Sequence, residues 1–486
     1  MSPPPSTSFA AHAAVIPAEH AIDRRAAFSL VWQGARVLLQ TAQYVLLARL
    51  IVPEEFGKYA LVAPLYALFG VLHDGGLSTA AVTGRRYDGA LASMLCWAQL
   101  GAGAVLALGM VLLSPVLALW FGVPDLGMVG AWLGACLLVG SCGLQSRAAL
   151  RREVRLGALA LVELGGAAAG LVSAWVIAGY NTGVEILLGS MMFSVGVSAA
   201  IAVSLAPVAL HRPRMTADFH DAMRTGRDIV GAEVMNILRV QMPAFVAGFF
   251  VMLADVGLFN RANQLLNLPL AVLAPALTNF LLPVLSRVRD DAAEFRRHVR
   301  RTQRLFLAVA VPASVWIAAG PTDLIAFVLG PEWMPVVPIL RNLSPLFISQ
   351  VIATIAGVTL VGTEESRAMR WFSFWNLLLT AVAVLLAAPS GVEAMALAIA
   401  VSGIALRAPL LVGLAVHRGS LAMGDVWSGL RRLAILAVAA GTVLGVVEMS
   451  PLAGAVRDVA GLLVCLGVSA AALARDLCRT KGRETS

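Results

Sequence analysis

Apolar residues run along this chain in long blocks separated by short polar stretches. Cut at charged clusters and at Pro/Gly turns, the blocks number fourteen: residues 27–50, 59–84, 89–113, 125–146, 156–179, 184–208, 229–252, 256–285, 305–329, 334–361, 371–388, 391–416, 433–449 and 451–474. A helix needs about 20 mostly apolar residues to cross a bilayer, and most blocks have that length. The first is polar for a span, and the eighth is long and holds Pro269, Pro275 and Pro283. The pattern predicts an all-α polytopic membrane protein with about 14 transmembrane helices.

Composition agrees and excludes other classes. Of 486 residues, 59% are hydrophobic and 13% charged, with a mean hydropathy of +0.83. A soluble domain carries roughly 25% charged residues, so an ordinary soluble enzyme is ruled out, as is a disordered chain. The net charge of +8 first raises nucleic acid as a partner. Its distribution turns it into a topology signal instead. With the N-terminus placed inside, 28 of the 36 basic residues fall in the tails and in alternate connections, and one, Lys58, falls on the other side. This is the asymmetry of the positive-inside rule. It predicts an even number of spans, both termini cytoplasmic, and no nucleic-acid role.

The longest interior polar stretches are 209–228 and 286–304. The first divides the chain into an N-terminal cytoplasmic tail (1–26), a six-helix lobe (27–208), a cytoplasmic linker (209–228), a second six-helix lobe (229–416), two further helices (417–474) and a cytoplasmic tail (475–486). The tail at 1–26 has no basic segment ahead of an apolar core, so it does not read as a cleavable signal peptide. An internal echo supports the division. LIVPEEFGKYALVAPLY in the first lobe matches FVMLADVGLFNRANQLL in the second, with Gly57-x-Tyr59 answered by Gly257-x-Phe259. Two repeated lobes with a site between them are a recurrent transporter architecture.

Charges and amides inside the blocks are the candidate chemistry, because an intramembrane charge needs a partner or a wet cavity. Arg36 lies roughly 14 Å into the first span at 1.5 Å per residue, and Gln33, Gln40 and Gln43 share its helix face. That stripe is either a hydrogen-bonded seam or the wall of an anion-friendly cavity. Arg239 lies equally deep in the seventh span, with Glu233 and Asn236 on the same face. It either pairs internally with Glu233 or faces the cavity. Asn260, Asn263, Gln264 and Asn267 form a polar stripe in the eighth span, with Arg261 at its edge, and Arg341 stands beside Asn342 and Ser344 in the tenth. Pairing of Arg261 with Asp255, or of Arg341 with Glu332, is the alternative to a cavity role. The substrate-binding candidates are therefore Arg36, Arg239, Arg261, Arg341, Gln33, Gln40, Asn236, Asn260 and Gln264. Asp74, Glu163 and Glu233 are candidates for coupling-ion binding, or for charge balance. Arg49 and Arg457 suggest local pairing or snorkelling. Arg407 has few polar neighbours in sequence and suggests no specific role.

Catalytic and cofactor signals are few. No G-x-x-x-x-G-K-[ST] loop exists for ATP and no H-E-x-x-H for zinc, so no cofactor or metal is expected and the chain does not read as an enzyme. Cys96, Cys136, Cys142, Cys465 and Cys478 are odd in number and read as packing residues. His73–Asp74 is the one candidate for a dyad within a span.

ARLIVPEEFGKYALV, HDGGLSTAAV, and VGLFNRANQLLNLP followed by FLLPVLSRVRDD, in this order and spacing, resemble bacterial Wzx-type polysaccharide flippases. These belong to the multidrug/oligosaccharidyl-lipid/polysaccharide exporter superfamily. The resemblance covers roughly residues 28–305. It implies two helical lobes around a central cavity, location in the bacterial inner membrane, and alternating-access transfer of undecaprenyl-diphosphate-linked oligosaccharides for exopolysaccharide, O-antigen or capsule. It also implies a polymerase and a chain-length regulator as pathway partners. One departure is clear. Related sequences tend to carry an acid shortly after the span-seven arginine, whereas Val240, Gln241, Met242 and Pro243 follow Arg239 here. The alternatives are a cation-coupled drug or metabolite exporter of the same superfamily, and a membrane polysaccharide polymerase.

Overall fold

The structure is a computed structural model that describes residues 19–467, apart from 85–86, 213–216, 289–290, 363–365, 418–422 and 449–453, together with residue 469. Among the described residues the elements are helices: α1 (Glu19–Leu50), α2 (Pro53–Asp74), α3 (Leu77–Thr83), α4 (Gly89–Phe121), α5 (Leu126–Arg152), α6 (Leu156–Ile177), α7 (Glu185–Leu205), α8 (Ala217–Ala247), α9 (Leu253–Arg287), α10 (Ala292–Ala319), α11 (Thr322–Val328), α12 (Val336–Gly362), α13 (Ser366–Ala387), α14 (Val392–Ser402), α15 (Ala408–His417) and α16 (Met423–Glu448). A last helix, α17, covers 454–467. A π-helical turn, Gly403–Arg407, joins α14 to α15. Where they are described, the blocks of the apolar pattern fall on helices, and among the described residues nine stretches are both long and apolar enough to cross a membrane. Large apolar side chains such as Leu119, Trp175 and Leu386 stand exposed on the outside, as lipid-facing surface requires. The chain is a multi-pass membrane protein.

Boundaries differ from the pattern where charge and helix coincide. α1 begins at Glu19 rather than 27, and α8 begins at Ala217, inside the expected linker. The polar stretch 286–304 is largely the start of α10. Asp291 caps that helix, accepting from the backbone amides of Ala293 at 2.9 Å and Glu294 at 3.0 Å. The Glu294 and Ala293 amides hold the Asp291 carboxyl below its ordinary range. A helix whose arginines face water is as good a helix as an apolar one, so hydropathy alone misplaces its start. The second block is broken at Gly75 and Gly76, which adopt φ of 58° and 68°, the left-handed region that glycine enters without penalty.

The packing repeats along the chain. The first long helix of each set lies on the fifth (α1 on α6, α8 on α13), the third on the fourth (α4 on α5, α10 on α12) and the fifth on the sixth (α6 on α7, α13 on α14). The two sets meet where α2 crosses α9. There Gly57 and Gly257 face each other. A Cβ on Gly57 would strike the Leu253 carbonyl, and one on Gly257 would strike the Pro53 carbonyl and lie 2.9 Å from the Gly57 nitrogen. The contact is reciprocal, and it falls on the two glycines of the sequence echo. A second close approach brings Gly76 against Gly226, whose carbonyl oxygen would be 2.7 Å from a Cβ on Gly76.

Beside the first crossing lies Arg261, 1% exposed. Its guanidinium carbon is 4.7 Å from the Phe56 ring centre, 5.3 Å from that of Trp333 and 5.6 Å from that of Tyr44. It donates to Gln264 Oε1 at 3.1 Å and to the Tyr44 carbonyl. Gln264 in turn donates to Asn260 Oδ1 at 2.8 Å, and Trp333 Nε1 donates to the Ala48 carbonyl at 2.7 Å. Three expected cavity residues, Arg261, Asn260 and Gln264, therefore belong to a tie between the halves. The physical reason is that aromatic faces from α1 and α2 compensate the charge, and among the described residues Arg261 forms no ion pair with the expected acid, Asp255.

Two stability predictions follow from this crossing. Gly257→Ala should lower the melting temperature of the purified protein in detergent by the equivalent of about 1–3 kcal/mol of overpacking. Gly413→Ala, where a Cβ meets nothing within 4 Å, should leave it unchanged or slightly raised. Equal melting curves for the two variants would show that the crossing tolerates a methyl group. Arg261→Lys should also melt earlier than wild type, because a point charge cannot keep both the Gln264 and Tyr44 bonds while filling the ring cage.

Candidate functional site

Among the described residues, polar side chains converge inside the second set of helices. A cavity of about 520 Å³ is lined by Glu233, Asn236 and Arg239 of α8, Ser349, Gln350 and Thr354 of α12, Ser373 and Asn376 of α13, and Arg407 at the end of the π turn. A smaller pocket of about 50 Å³ also touches Arg239, Gln350 and Arg407, and adds Asn263, Asn267 and Thr380. Four separate helices supply this wall. Pockets for small ligands are typically about 300–1,000 Å³, so the main cavity is of ligand size.

Arg407 is 6% exposed. It donates to the Ile399 carbonyl at 2.6 Å, to Thr380 Oγ1 at 3.1 Å and to Asn376 Oδ1 at 3.4 Å. Its Nε is buried without a partner. Gly403 makes this fold-back geometry possible: a Cβ there would lie 2.9 Å from both Arg407 Nη2 and Ser349 Oγ. π turns recur at functional sites because they re-aim a side chain. Arg239 is half-buried and donates to Asn236 Oδ1 at 3.0 Å. The two guanidiniums lie within electrostatic reach of each other. Among the described residues neither forms an ion pair with a carboxylate. Glu233 stands exposed at the rim, and the internal Glu233–Arg239 pair weighed from the sequence does not form.

The other expected site residues lie elsewhere. Arg36 forms an ion pair with Glu163, Nη1 to Oε2 at 2.9 Å, across the α1–α6 seam. Arg147, which donates to Ser198 Oγ, lies within electrostatic reach of both. Gln43 packs there too, with its Nε2 2.9 Å from where a Cβ on Gly170 would be. Gln40 is half-buried on the same helix, and the side chain of Gln33 lies outside the described residues. This stripe is a seam of the first half and does not reach the cavity. Arg341 is exposed and donates to the Ala319 carbonyl at 2.9 Å. α10 ends there at Gly320, with φ of 80°, which leaves that carbonyl free for the guanidinium. Asp74 accepts from Gln99 Nε2 at 3.2 Å and from Ser78 Oγ, while His73 Nε2 bonds Ser141 Oγ at 2.7 Å. The adjacent pair points at different partners and forms no dyad.

Of the expected cavity residues, then, Arg239 and Asn236 converge, with Glu233 of the coupling candidates at the rim. Arg407, Gln350 and Asn376 complete the wall and carry no sequence signal of their own. Each stands in a largely apolar run, and its partners across the cavity come from other helices. Among the described residues no group of three His, Cys, Asp or Glu side chains could hold a metal.

Comparison with known proteins agrees with this architecture. The chain is 24% identical over 391 residues to the succinoglycan biosynthesis transport protein ExoT of Rhizobium meliloti (strain 1021), covering 77% of this chain and 76% of that protein. It is 24% identical over 322 residues to the lipopolysaccharide biosynthesis protein WzxC of Escherichia coli (strain K12), covering 63% of this chain and 62% of that protein. In three dimensions it superposes on a lipid II flippase, MurJ, in an inward closed conformation, with a TM-score of 0.75 at 13% identity over 93% of this chain and 99% of that one. It also superposes on an inward-facing multidrug resistance MATE family transporter of the MOP superfamily, with a TM-score of 0.62 at 14% identity over 82% of this chain and 95% of that one. These likenesses fix the polytopic helical fold. Residues 46–338 match the family described as polysaccharide biosynthesis protein. The chain belongs to that family.

Proposed function

We propose that this protein moves lipid-diphosphate-linked oligosaccharide repeat units from the inner to the outer leaflet of the bacterial inner membrane, by alternating access, for exopolysaccharide, O-antigen or capsule synthesis. The observation that carries the proposal is the cavity: arginine, amide and hydroxyl groups gathered inside a bundle whose outside is apolar. Amides and hydroxyls suit sugar hydroxyls. Guanidinium forks suit phosphate oxygens. An apolar exterior lets a polyprenyl tail remain in lipid while its head group crosses. The relatives' roles in succinoglycan and lipopolysaccharide biosynthesis support the same reading.

The arginine asymmetry supports both termini on the cytoplasmic side, which puts Lys58 and the Gly57–Gly257 crossing at the outer end. A polymerase and a chain-length regulator would act downstream of the transferred unit. Among the coupling candidates Glu233 is best placed, since Arg36 occupies Glu163 and Ser78 and Gln99 occupy Asp74. The alternative of a cation-coupled drug exporter fits less well, because two unpaired guanidiniums repel cationic cargo. A polymerase would leave single units already exposed outside when it is deleted.

Arg239→Ala should reach the membrane in normal amount, yet its polymer export should fall by roughly ten- to a hundred-fold, the value of a charge-assisted hydrogen bond. Lipid-linked units should accumulate in the inner leaflet, measured by their protection from an impermeant periplasmic reagent. Arg341→Ala, outside the cavity, should export normally. Full export from Arg239→Ala would refute the cavity as the route.

A further inference from the structure

The arginine asymmetry puts the starts of α10 and α16 on the same side of the membrane. The start of α10 carries Arg296, Arg297, Arg300, Arg301 and Arg304, and the one acid in that helix is Glu294. α16 packs on α10 and carries Arg431 and Arg432. Further along, Trp316 of α10 and Leu444 of α16 belong to one apolar cluster with Cys465. Arg301 lies 15 residues before Trp316, and Arg431 lies 13 before Leu444. At 1.5 Å per residue those are roughly 22 Å and 20 Å back along the two helices. The two arginines therefore stand at one level, where charge gives way to apolar sequence.

Arg301 and Arg431 are exposed, and half-buried Arg304 keeps a buried Nε without a partner. Among the described residues none of these three forms an ion pair with a carboxylate. Apolar surface continues from each exposed arginine. Leu305 and Val309 follow Arg301 at i+4 and i+8, Ile435 and Val438 follow Arg431 at i+4 and i+7, and all four are exposed. Those spacings keep each set on one broad helix face. Two neighbouring helices thus each present a cation at the membrane boundary and an apolar stripe running inward from it. A soluble anion or an acidic peptide would meet the cations and leave the stripes uncovered. An anionic phospholipid covers both, with its phosphodiester on the guanidiniums and its acyl chains along the stripes.

We propose that the arginine ends of α10 and α16 form a binding site for an anionic phospholipid of the surrounding membrane. Arg301, Arg304 and Arg431 hold the phosphodiester, as basic pockets between spanning helices hold lipid head groups elsewhere. The site lies on the lipid-facing surface and shares no residue with the cavity of Arg239 and Arg407. It goes beyond the flippase reading and does not depend on what the cavity carries. A lipid held by both helices fastens α16 to α10.

The test uses the full chain, purified in detergent, with phosphatidylglycerol and phosphatidylcholine of identical acyl chains as probes. Native mass spectrometry reads binding, and the melting temperature reads the fastening. Phosphatidylglycerol should stay bound and raise the melting temperature, whereas phosphatidylcholine should do neither. Arg301→Gln combined with Arg431→Gln should weaken phosphatidylglycerol binding by at least about tenfold. Its melting temperature without lipid should match wild type, because both side chains are exposed; this separates loss of the site from loss of the fold. Leu305→Ser combined with Ile435→Ser keeps every arginine and should bind several-fold more weakly through lost chain contact. Arg239→Ala, in the cavity, should bind phosphatidylglycerol as wild type. Glycerol phosphate, a head group without chains, should not compete at the concentration at which phosphatidylglycerol saturates the site. Competition by it would assign the arginines to free phosphate and overturn the lipid site. Equal binding of the two lipids, wild-type binding by either double variant, or loss of binding in Arg239→Ala would overturn it as well.

Discussion

A guanidinium cannot sit in hydrocarbon unaccompanied, because its desolvation costs several kcal/mol even after local relaxation. The arrangement of this bundle follows from how each interior arginine meets that constraint. Arg36 takes a carboxylate, Glu163, from a neighbouring helix. Arg261 takes three aromatic faces and a backbone carbonyl. Arg341 retreats to a helix end and caps a carbonyl. Arg239 and Arg407 take amides and hydroxyls around an open cavity. The first three solutions draw on groups within the protein, although Arg261 keeps a buried Nε without a partner. The fourth is unfinished: among the described residues no carboxylate pairs with either guanidinium, and both line a cavity.

The same contrast runs between the two halves. Their helices pack in the same order, and they meet through reciprocal glycine contacts at Gly57 and Gly257. Backbone-to-backbone approach of this kind is how helices associate where lipid removes the hydrophobic drive. Arg261 sits beside that crossing and reaches from α9 to rings on α1 and α2. In the first half Arg36 pairs with Glu163, whereas in the second, among the described residues, Arg239 and Arg407 pair with no carboxylate.

Much of this was legible in the sequence. The apolar blocks gave the helices, because a spanning segment must be long and apolar whatever it packs against. The Gly57–Gly257 echo marked the crossing between the halves. Residue depth singled out Arg239, which lines the cavity, and equally Arg36, Arg261 and Arg341, which do not, because depth says that a charge lies within a span but not who answers it. Glu163 lies 127 residues from Arg36, and Tyr44 lies 217 from Arg261. No local pattern connects them. Arg407 was missed for the same reason: Asn376 and Thr380 come from another helix, and its own surroundings in sequence are apolar. The arginine-rich start of α10 was read as a loop because hydropathy measures burial, and a solvated helix has little.

Depth also limits what the unfinished pair can bind. Arg407 stands ten residues before the end of α15 at His417, and Asn376 stands ten after the start of α13 at Ser366, each roughly 15 Å in at 1.5 Å per residue. A diphosphate reaching that depth loses most of its hydration. Neutral amides would not offset that loss, whereas two guanidiniums in a low-dielectric wall offset it strongly, since the same dielectric that penalises the ion strengthens its pairing. A cation brought there would meet the opposite: like charges at short range and few carboxylates. Under the function proposed above, the cavity selects by charge before it selects by sugar, and its amides discriminate among cargoes that the arginines have admitted.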